Sequence, residues 1–237
     1  MKRVMRLGVA GVCACLVLAG SAQAQFVSDT FTDTATTLLA SHTGETGATW
    51  TNHPQAEATD WQISDVNRLR GNATSGGTGY FAYASGIPPD ADYEVEAILF
   101  VKSLQNLAGV LGRLDTTAYS GYEATYVHEG VNAWRLGRRD TGTFVQLGST
   151  FPQTLVDETA YTVTLEMIGS SIKLYVDGVE RISATDTTYT TAGRAGVYIW
   201  GTQVTPSNTA SLHVDFVSAT DITVAGGARL TLLGAGK

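Results

Sequence analysis

The densest group of side chains that could bind a ligand lies in residues 121–139 (GYEATYVHEGVNAWRLGRR). Flat aromatic rings stack on the C–H faces of sugars, and planar polar groups hydrogen-bond to sugar hydroxyls. On one predicted strand, alternation places the two tyrosines and the histidine on one side. On the next strand, the tryptophan and the arginine beside it point to opposite sides. The candidate ligand contacts here are Tyr122, Tyr126, His128, Trp134 and Arg135.

A second pair of candidates lies in residues 195–200, where Tyr198 and Trp200 alternate with Val197 and Ile199. Side chains alternate between the two faces of a strand. If the two aliphatic residues face the core, the two aromatic rings face the opposite side of the sheet. Tyr198 and Trp200 are therefore added to the predicted ligand contacts.

These aromatic and basic residues also have structural interpretations. Trp50, Trp61 and Trp134 are more typical of core or corner residues than of sugar-stacking platforms, because large aromatic rings are mostly buried. Trp200 stands at a strand end, where burial and exposure are both open. The run Arg138–Asp140 is typical of a solvated hairpin end, and otherwise its arginines would engage an acidic sugar.

The elements that must position these residues are strands. Short runs of β-branched and aromatic residues are broken by Gly, Asn, Asp and Ser every 8–14 residues, and no window predicts a convincing helix. Residues 160–168 alternate between apolar and polar, and residues 92–101 become apolar on both faces, as in a central strand of a sandwich. Asp177-Gly178 predicts a type I′ hairpin turn. The predicted strands cover 26–32, 61–64, 67–71, 79–84, 92–101, 107–114, 121–128, 132–138, 143–148, 160–168, 171–176, 179–183, 195–200 and 211–223.

Residues 1–24 have the pattern of a secretory signal peptide. A basic start is followed by an uncharged apolar run over residues 7–20, and Ala22–Ala24 supplies a small-x-small cleavage pattern. The run is shorter than the roughly 20 residues that cross a bilayer as a helix. The sequence therefore predicts a secreted protein, outside the cell, on its surface or in a periplasm, with no membrane insertion after signal cleavage.

Removal of the signal changes the composition of the chain. Both cysteines, Cys13 and Cys15, lie within it, which leaves no thiol for a disulfide or a thiolate metal site. The mature chain would keep 12 basic and 22 acidic residues, a net charge of −10. Such a domain repels nucleic acid, whereas neutral glycans and ligands held through a cation are compatible with it.

Residues 161–200 contain a strand, a Gly, a strand ending in a D-G turn, a return strand, an Asp-containing loop and the run AGRAGVYIW. Residues 27–50 and the later segments GVLGRLD, GYEATY and WRLGRRD fit the same order. This pattern resembles the concanavalin A-like lectin/glucanase superfamily, including laminin-G-like domains. The resemblance implies an all-β, two-sheet antiparallel jelly-roll sandwich over residues 25–224. Residues 225–237 would then form a Gly-rich tail or an extra edge strand, and an apolar edge invites self-association.

The superfamily contains binding proteins and enzymes, so the resemblance leaves activity open. Its retaining glycanases carry E-x-D-x-x-E on one strand, a spacing that is absent here; Glu94 and Glu96 are the nearest pair. Its lyases use converging Arg, His and Tyr side chains, for which Arg113 joins the candidates above, but their local signatures are missing. No G-x-S-x-G elbow occurs. Catalysis is not expected, although a hydrolase or lyase with an altered motif stays an alternative.

The chain ends supply the candidate metal ligands. Terminal strands often lie side by side in a jelly roll, so Asp29 and Asp215, near Asp33 and Asp221, could share a Ca²⁺ site. The alternative is strand pairing with solvated Asp side chains. Taken together, the sequence predicts a secreted, non-catalytic domain that binds an extracellular glycan or glycoconjugate. A structural or adhesive surface component, such as an appendage subunit, is the alternative from a different class.

Overall fold

The computed structural model describes residues 24–72, 78–102, 106–128, 130–201 and 212–222. Within these ranges the strands form two antiparallel sheets that pack face to face around one main core. The predicted signal peptide, apart from its last residue, and the predicted tail lie outside the described residues. Both assignments stay predictions, as does self-association through an edge or the tail.

Strands account for most of the described chain. Their bounds are β1 (Gln25–Asp29), β2 (Trp50–Asn52), β3 (Gln62–Ile63), β4 (Leu69–Arg70), β5 (Thr78–Ala84), β6 (Tyr93–Val101), β7 (Asn106–Leu114), β8 (Gly121–Val127), β9 (Ala133–Asp140), β10 (Thr143–Pro152), β11 (Ala160–Ile168), β12 (Ser171–Val176), β13 (Val179–Thr185), β14 (Arg194–Gly201) and β15 (Leu212–Asp221). A single 3₁₀ turn over Leu39–Ser41 is the helical element among these residues.

Among the described residues, one sheet has eight strands in the order β13-β12-β11-β6-β15-β4-β3, with β1 paired to β15. The other has seven strands in the order β10-β9-β8-β7-β14-β5-β2. β6 lies between β11 and β15, which agrees with the apolar residues on both of its faces. The predicted all-β, two-sheet antiparallel sandwich is confirmed.

The hairpin between β12 and β13 turns at the predicted position. Asp177 and Gly178 have φ angles of 51° and 73°, so both central residues are left-handed, as a type I′ turn requires. The Asp177 carboxylate also accepts a hydrogen bond from the Thr162 backbone N–H at 2.9 Å. The turn is thus anchored to the neighbouring strand β11.

The main core lies between the sheets and contains the inward-facing side chains of both. Val95 and Leu99 on β6 and Val197 and Ile199 on β14 are fully buried there. A second apolar cluster lies on the outer face of the seven-stranded sheet, built from Phe81, Leu107, Leu111, Leu114, Tyr119 and Tyr198. Among the described residues, no helix has the length and apolar character needed to span a membrane.

Candidate functional site

Three of the predicted ligand contacts lie in the main core. Tyr122, Tyr126 and Trp134 are fully buried between the sheets. The Tyr122 hydroxyl donates to Asp186 Oδ1 at 2.8 Å, and the Trp134 indole N–H donates to Gln153 Oε1 at 2.7 Å. Their prediction as ligand contacts is therefore corrected, because even-numbered positions of β8 and β9 face the opposing sheet. Trp134, Trp50 and Trp61 are core residues, which was the other interpretation of these tryptophans.

His128 and Arg135 lie outside the main core. His128 follows β8, and its Nδ1 lies 2.7 Å from Asn132 Oδ1, which ties the ends of the β8–β9 turn together. Arg135 lies on the outer face of the seven-stranded sheet, where its guanidinium pairs with Glu123 at 3.2 Å. His128 therefore belongs to a turn, and Arg135 belongs to the charged centre of the outer face.

The centre of that outer face is a buried ionic cluster. Glu123 on β8 has no exposed surface, and its Oε2 accepts a hydrogen bond from Arg139 Nε at 2.6 Å. Its Oε1 accepts from Arg135 at 3.2 Å, and Arg135 Nε donates to Thr125 Oγ1 at 3.1 Å. A buried carboxylate is tolerated where charged hydrogen-bond partners satisfy it. Two arginines from β9 supply these partners.

Aromatic rings surround the two guanidinium groups. Arg135 Cζ lies 4.0 Å from the centre of the Phe144 ring, and Arg139 Cζ lies 5.2 Å from the Tyr119 ring and 5.6 Å from the Tyr198 ring. These distances are those of cation–π contacts. Burial lowers the pKa of Arg139, but the nearby Glu123 charge outweighs it and raises the pKa overall. Arg139 is therefore a fixed, permanently charged group.

A pocket of about 360 Å³ opens beside this cluster. This outer-face pocket is lined by Gln55, Glu57, Gly79, Phe81, Tyr119, Arg139, Gly142, Tyr198 and Trp200. Its volume falls at the small end of the range of about 300–1,000 Å³ for ligand pockets. The pocket combines flat rings with a few charged and polar groups.

The strand register places the rings of the pocket. Trp200 on β14 lies opposite Gly79 on β5, and Tyr198 lies opposite Phe81. A Cβ at Gly79 would lie 3.2 Å from Trp200 Cδ1, so the glycine leaves room for the indole. Tyr198 is buried, whereas Trp200 is half-buried and keeps part of its ring exposed. Val197 and Ile199 face the core, so Tyr198 and Trp200 lie on the outer face, as the alternation predicted. Their contact with a ligand stays a prediction.

Two loops complete the pocket. The Tyr119 backbone N–H donates to Gln55 Oε1 at 3.1 Å, and the Tyr119 ring stacks on Phe81 with centroids 4.0 Å apart. His53 packs against Phe81 and bonds through Nε2 to the Asp115 carbonyl at 3.0 Å. Burial lowers the pKa of His53, which disfavours protonation of this ring. These contacts hold the two loops against the sheet.

Solved structures share this architecture. The carbohydrate-binding module CBM66 from Bacillus subtilis superposes with a TM-score of 0.53 at 17% identity, covering 73% of this chain and 91% of the module. The beta-glucanase of Bacillus licheniformis gives 0.51 at 14% identity, covering 83% and 98%. The metal-free exoplasmic/lumenal domain of VIP36 gives 0.56 at 8% identity, covering 80% and 92%. This chain has the concanavalin A-like jelly-roll fold. No protein-family model and no curated protein sequence matches it.

The predicted calcium ligands of this jelly roll have other partners. Asp29 is buried, and its carboxylate lies 2.9 Å from His42 Nε2 and 2.5 Å from the Trp50 indole N–H. Asp215 pairs instead with Arg68 at 3.0 Å. Among the described residues, no group of three or more His, Cys, Asp or Glu side chains is arranged to hold a metal ion. Asp29 and Asp215 thus contact different partners and do not form the predicted shared Ca²⁺ site in this structure.

The acidic pair named as the nearest to a glycanase motif lies on the other sheet of the jelly roll. Glu94 and Glu96 point outward from β6, where β11 places Glu166 opposite Glu94. Burial raises the pKa of Glu94, and the charges of Glu96 and Glu166 raise it further. These carboxylates are therefore separated from the outer-face pocket by the whole thickness of the sandwich.

A second cavity, of about 400 Å³, lies at one end of the jelly roll beside Arg113. The Arg113 guanidinium donates to the carbonyls of Ala91, Gly169 and Tyr189 and pairs with Asp92 at 3.3 Å. Its donors are thus used to join loops. Arg113, which was a candidate for lyase chemistry, therefore has a structural role in joining these loops.

Tyr119 and the neighbouring Glu123 were not predicted as functional residues, although they lie beside and within the stretch 121–139. Arg139 was predicted only as part of the run Arg138–Asp140, whose arginines would engage an acidic sugar if they were not solvated. In GYEATY, a glutamate and a threonine alternate with two tyrosines, so the two faces of this strand differ in polarity. Gln55 and Glu57 lie in a loop with no distinguishing pattern.

Proposed function

We propose that this chain is an exported, non-catalytic glycan-binding domain that seats its ligand in the outer-face pocket, with a sugar ring stacked on Trp200. One observation carries the proposal. The half-buried Trp200 stands in a pocket beside polar groups held by hydrogen bonds, here Gln55, Glu57 and Arg139. Aromatic faces supply stacking area to sugars, and planar polar groups orient their hydroxyls.

The charged centre of the site supports binding over hydrolysis. Glycoside hydrolysis uses two carboxyl groups that flank the scissile bond. Glu123 is fully buried, and both of its oxygens accept hydrogen bonds from Arg135 and Arg139. A carboxylate held in this way is not free to attack a sugar or to protonate a leaving group. Glu57 is then the remaining carboxylate in the pocket lining.

The jelly-roll neighbours give the proposal a precedent. CBM66 is named as a carbohydrate-binding module, and the VIP36 domain has a Ca²⁺/Man-bound form with a TM-score of 0.54 to this chain. Structural similarity at such low sequence identity shows the fold alone, so the ligand is inferred from the residues of the pocket. The pattern of residues 1–24 supports export and an extracellular glycan partner, and the acidic net charge argues against nucleic acid.

The test is a glycan array probed with the chain from residue 25 onward, with and without added Ca²⁺. We expect retention of a defined glycan class, and Trp200→Ala should weaken it at least about ten-fold, as loss of a central aromatic contact does. Tyr175→Ala is the matched control, because Tyr175 is a partly exposed ring on the other sheet. The proposal fails if no glycan is retained in either condition, or if both variants bind like the parent chain.

The proposed export of the protein is tested separately from glycan binding. Expression of the full chain in a secreting host, followed by mass determination of the product, should give a protein that begins at Gln25. An intact N-terminus on protein retained in the cell would contradict export while leaving glycan binding to be decided by the array.

A further inference from the structure

The ionic cluster beside the outer-face pocket carries a net positive charge in a chain that is acidic overall. Glu123 contributes one negative charge, and Arg135 and Arg139 contribute two positive ones. The three groups are packed together, so they act on a ligand as one unit with a net positive charge. Of these groups, Arg139 lines the pocket, in a domain whose predicted net charge is −10.

Arg139 keeps donors for a ligand. A guanidinium has five N–H groups. Within the described residues, Arg139 uses Nε and one NH2 hydrogen on Glu123, and one NH1 hydrogen on the Gly142 carbonyl at 2.9 Å. Two N–H groups are left, on a side chain that lines the pocket. A planar carboxylate is the natural partner for such a pair of donors.

Tyr119 brings a buried hydroxyl to the wall of the same pocket. Its side chain is 5% exposed, and its hydroxyl has no hydrogen-bond partner among the described residues. Burial, and then the charge of Glu123, raises the pKa of this phenol, so the hydroxyl keeps its proton and can donate. A buried hydroxyl without a partner destabilises a protein unless it donates a hydrogen bond to some acceptor. A carboxylate held at Arg139 would supply that acceptor once a small side-chain shift uncovers the hydroxyl.

The two ends of the pocket differ in charge. Arg139 lies beside Tyr119 and Tyr198, whereas Glu57 lies beside Gly79, whose backbone N–H donates to Glu57 Oε2 at 2.8 Å. Trp200 stands opposite Gly79 on the Glu57 side. A second anionic group at that end would be repelled, while sugar hydroxyls can donate to the carboxylate. The charge pattern fits a single acidic sugar followed by a neutral one.

We propose that the outer-face pocket selects a glycan containing a uronate, whose carboxylate is bound by Arg139 and by the Tyr119 hydroxyl while the adjoining neutral sugar stacks on Trp200. This inference rests on the proposed glycan-binding function and names the ligand class. It also assigns a role to the otherwise unpartnered hydroxyl of Tyr119.

The experiment compares each glycan with its neutral counterpart. Oligosaccharides containing glucuronate, galacturonate or mannuronate beside a neutral sugar are titrated calorimetrically, alongside the same oligosaccharides after reduction of the carboxyl to a hydroxymethyl group. We expect at least one uronate form to bind roughly ten-fold more tightly than its reduced form, the gain typical of hydrogen bonds to a charged group. That preference should shrink with added NaCl.

Tyr119→Phe is the decisive variant, because it removes one unpartnered oxygen and leaves the ring stacked on Phe81. The preference for the uronate form should fall several-fold, with no loss of thermal stability. Tyr175→Phe, which removes a hydroxyl bonded to Glu166 on the other sheet, should leave the preference unchanged. Arg139→Lys, which keeps the charge and loses the planar pair of donors, should also reduce the preference.

The possible failures are distinct. Equal binding of reduced and uronate forms overturns the assignment of a uronate and leaves glycan binding standing. Uronate preference that survives in both Tyr119→Phe and Arg139→Lys overturns the assigned contacts. No binding of either form, together with a silent glycan array, overturns the proposed function as well.

Discussion

Replacement of Glu123 by Gln tests whether the buried ionic cluster holds the outer face together. The substitution keeps the size and shape of the side chain and removes its negative charge. Arg135 and Arg139 would then face each other across a neutral amide. The glutamine keeps one accepting oxygen, whereas its NH2 group is a donor and cannot replace the second oxygen through which Glu123 accepts charged hydrogen bonds.

The expected magnitude follows from the burial of the three groups. Removal of one partner from a buried ion pair costs about 3–5 kcal/mol when the remaining charge is cut off from water. Glu123 has no exposed surface, but Arg135 and Arg139 are 19% and 13% exposed, so water can partly solvate the orphaned charges. We therefore expect a loss of about 2–4 kcal/mol in the free energy of unfolding, or roughly 5–15 °C in Tm for a domain of this size.

The measurement is urea unfolding followed by tryptophan fluorescence, with a thermal scan as a second probe. Glu158→Gln is the control, since Glu158 is 62% exposed and pairs with Lys102 at the surface at 2.8 Å. Exposed pairs contribute about 0–1 kcal/mol, so the control should unfold almost like the parent chain. If Glu123→Gln is no more destabilising than Glu158→Gln, the cluster does not stabilise the sheet and the reasoning is refuted.

Two further predictions concern other parts of the sandwich. Burial opposes protonation of His42, but its hydrogen bonds with Asp33 and Asp29 outweigh this and raise its pKa. Its stabilisation is therefore full below the unfolded-state pKa of about 6.5 and is lost as pH rises through the higher folded-state value. Urea unfolding at a series of pH values should show this decline, and His42→Gln should remove it; equal slopes in both chains would contradict the assignment. Gly109→Ala should destabilise by about 1–3 kcal/mol or prevent folding, because a Cβ there would lie 2.0 Å from the Ala124 carbonyl oxygen. Unchanged thermal unfolding would show that β7 and β8 can move apart.

The orientation of β14 was predictable because its two faces differ in chemistry. Val197 and Ile199 are aliphatic, and Tyr198 and Trp200 are aromatic with polar atoms, so alternation alone separates the core face from the outer face. The hairpin at Asp177-Gly178 was predictable for a similarly local reason. Its turn needs left-handed backbone at both positions, and few residue pairs accept that.

The orientation of β8 could not be decided in this way. Tyr122 and Tyr126 alternate with Glu123 and Thr125, and local chemistry favours burial of the tyrosines only if the glutamate can be neutralised. A carboxylate without partners is strongly disfavoured in a protein interior. The neutralising partners belong to the next strand, so their effect on β8 depends on cross-strand register.

The sequence by itself determined the all-β class, the strand alternation and the turn chemistry, because these depend on neighbours within a few residues along the chain. The tertiary structure alone decided which face of the seven-stranded sheet holds the pocket. That pocket joins Gln55 and Glu57 from one loop, Tyr119 from another and Arg139 from β9. These residues come together only when the strands pair and the loops fold onto the sheet. The buried charge of Glu123, which a local pattern disfavours, is stable only within that assembly.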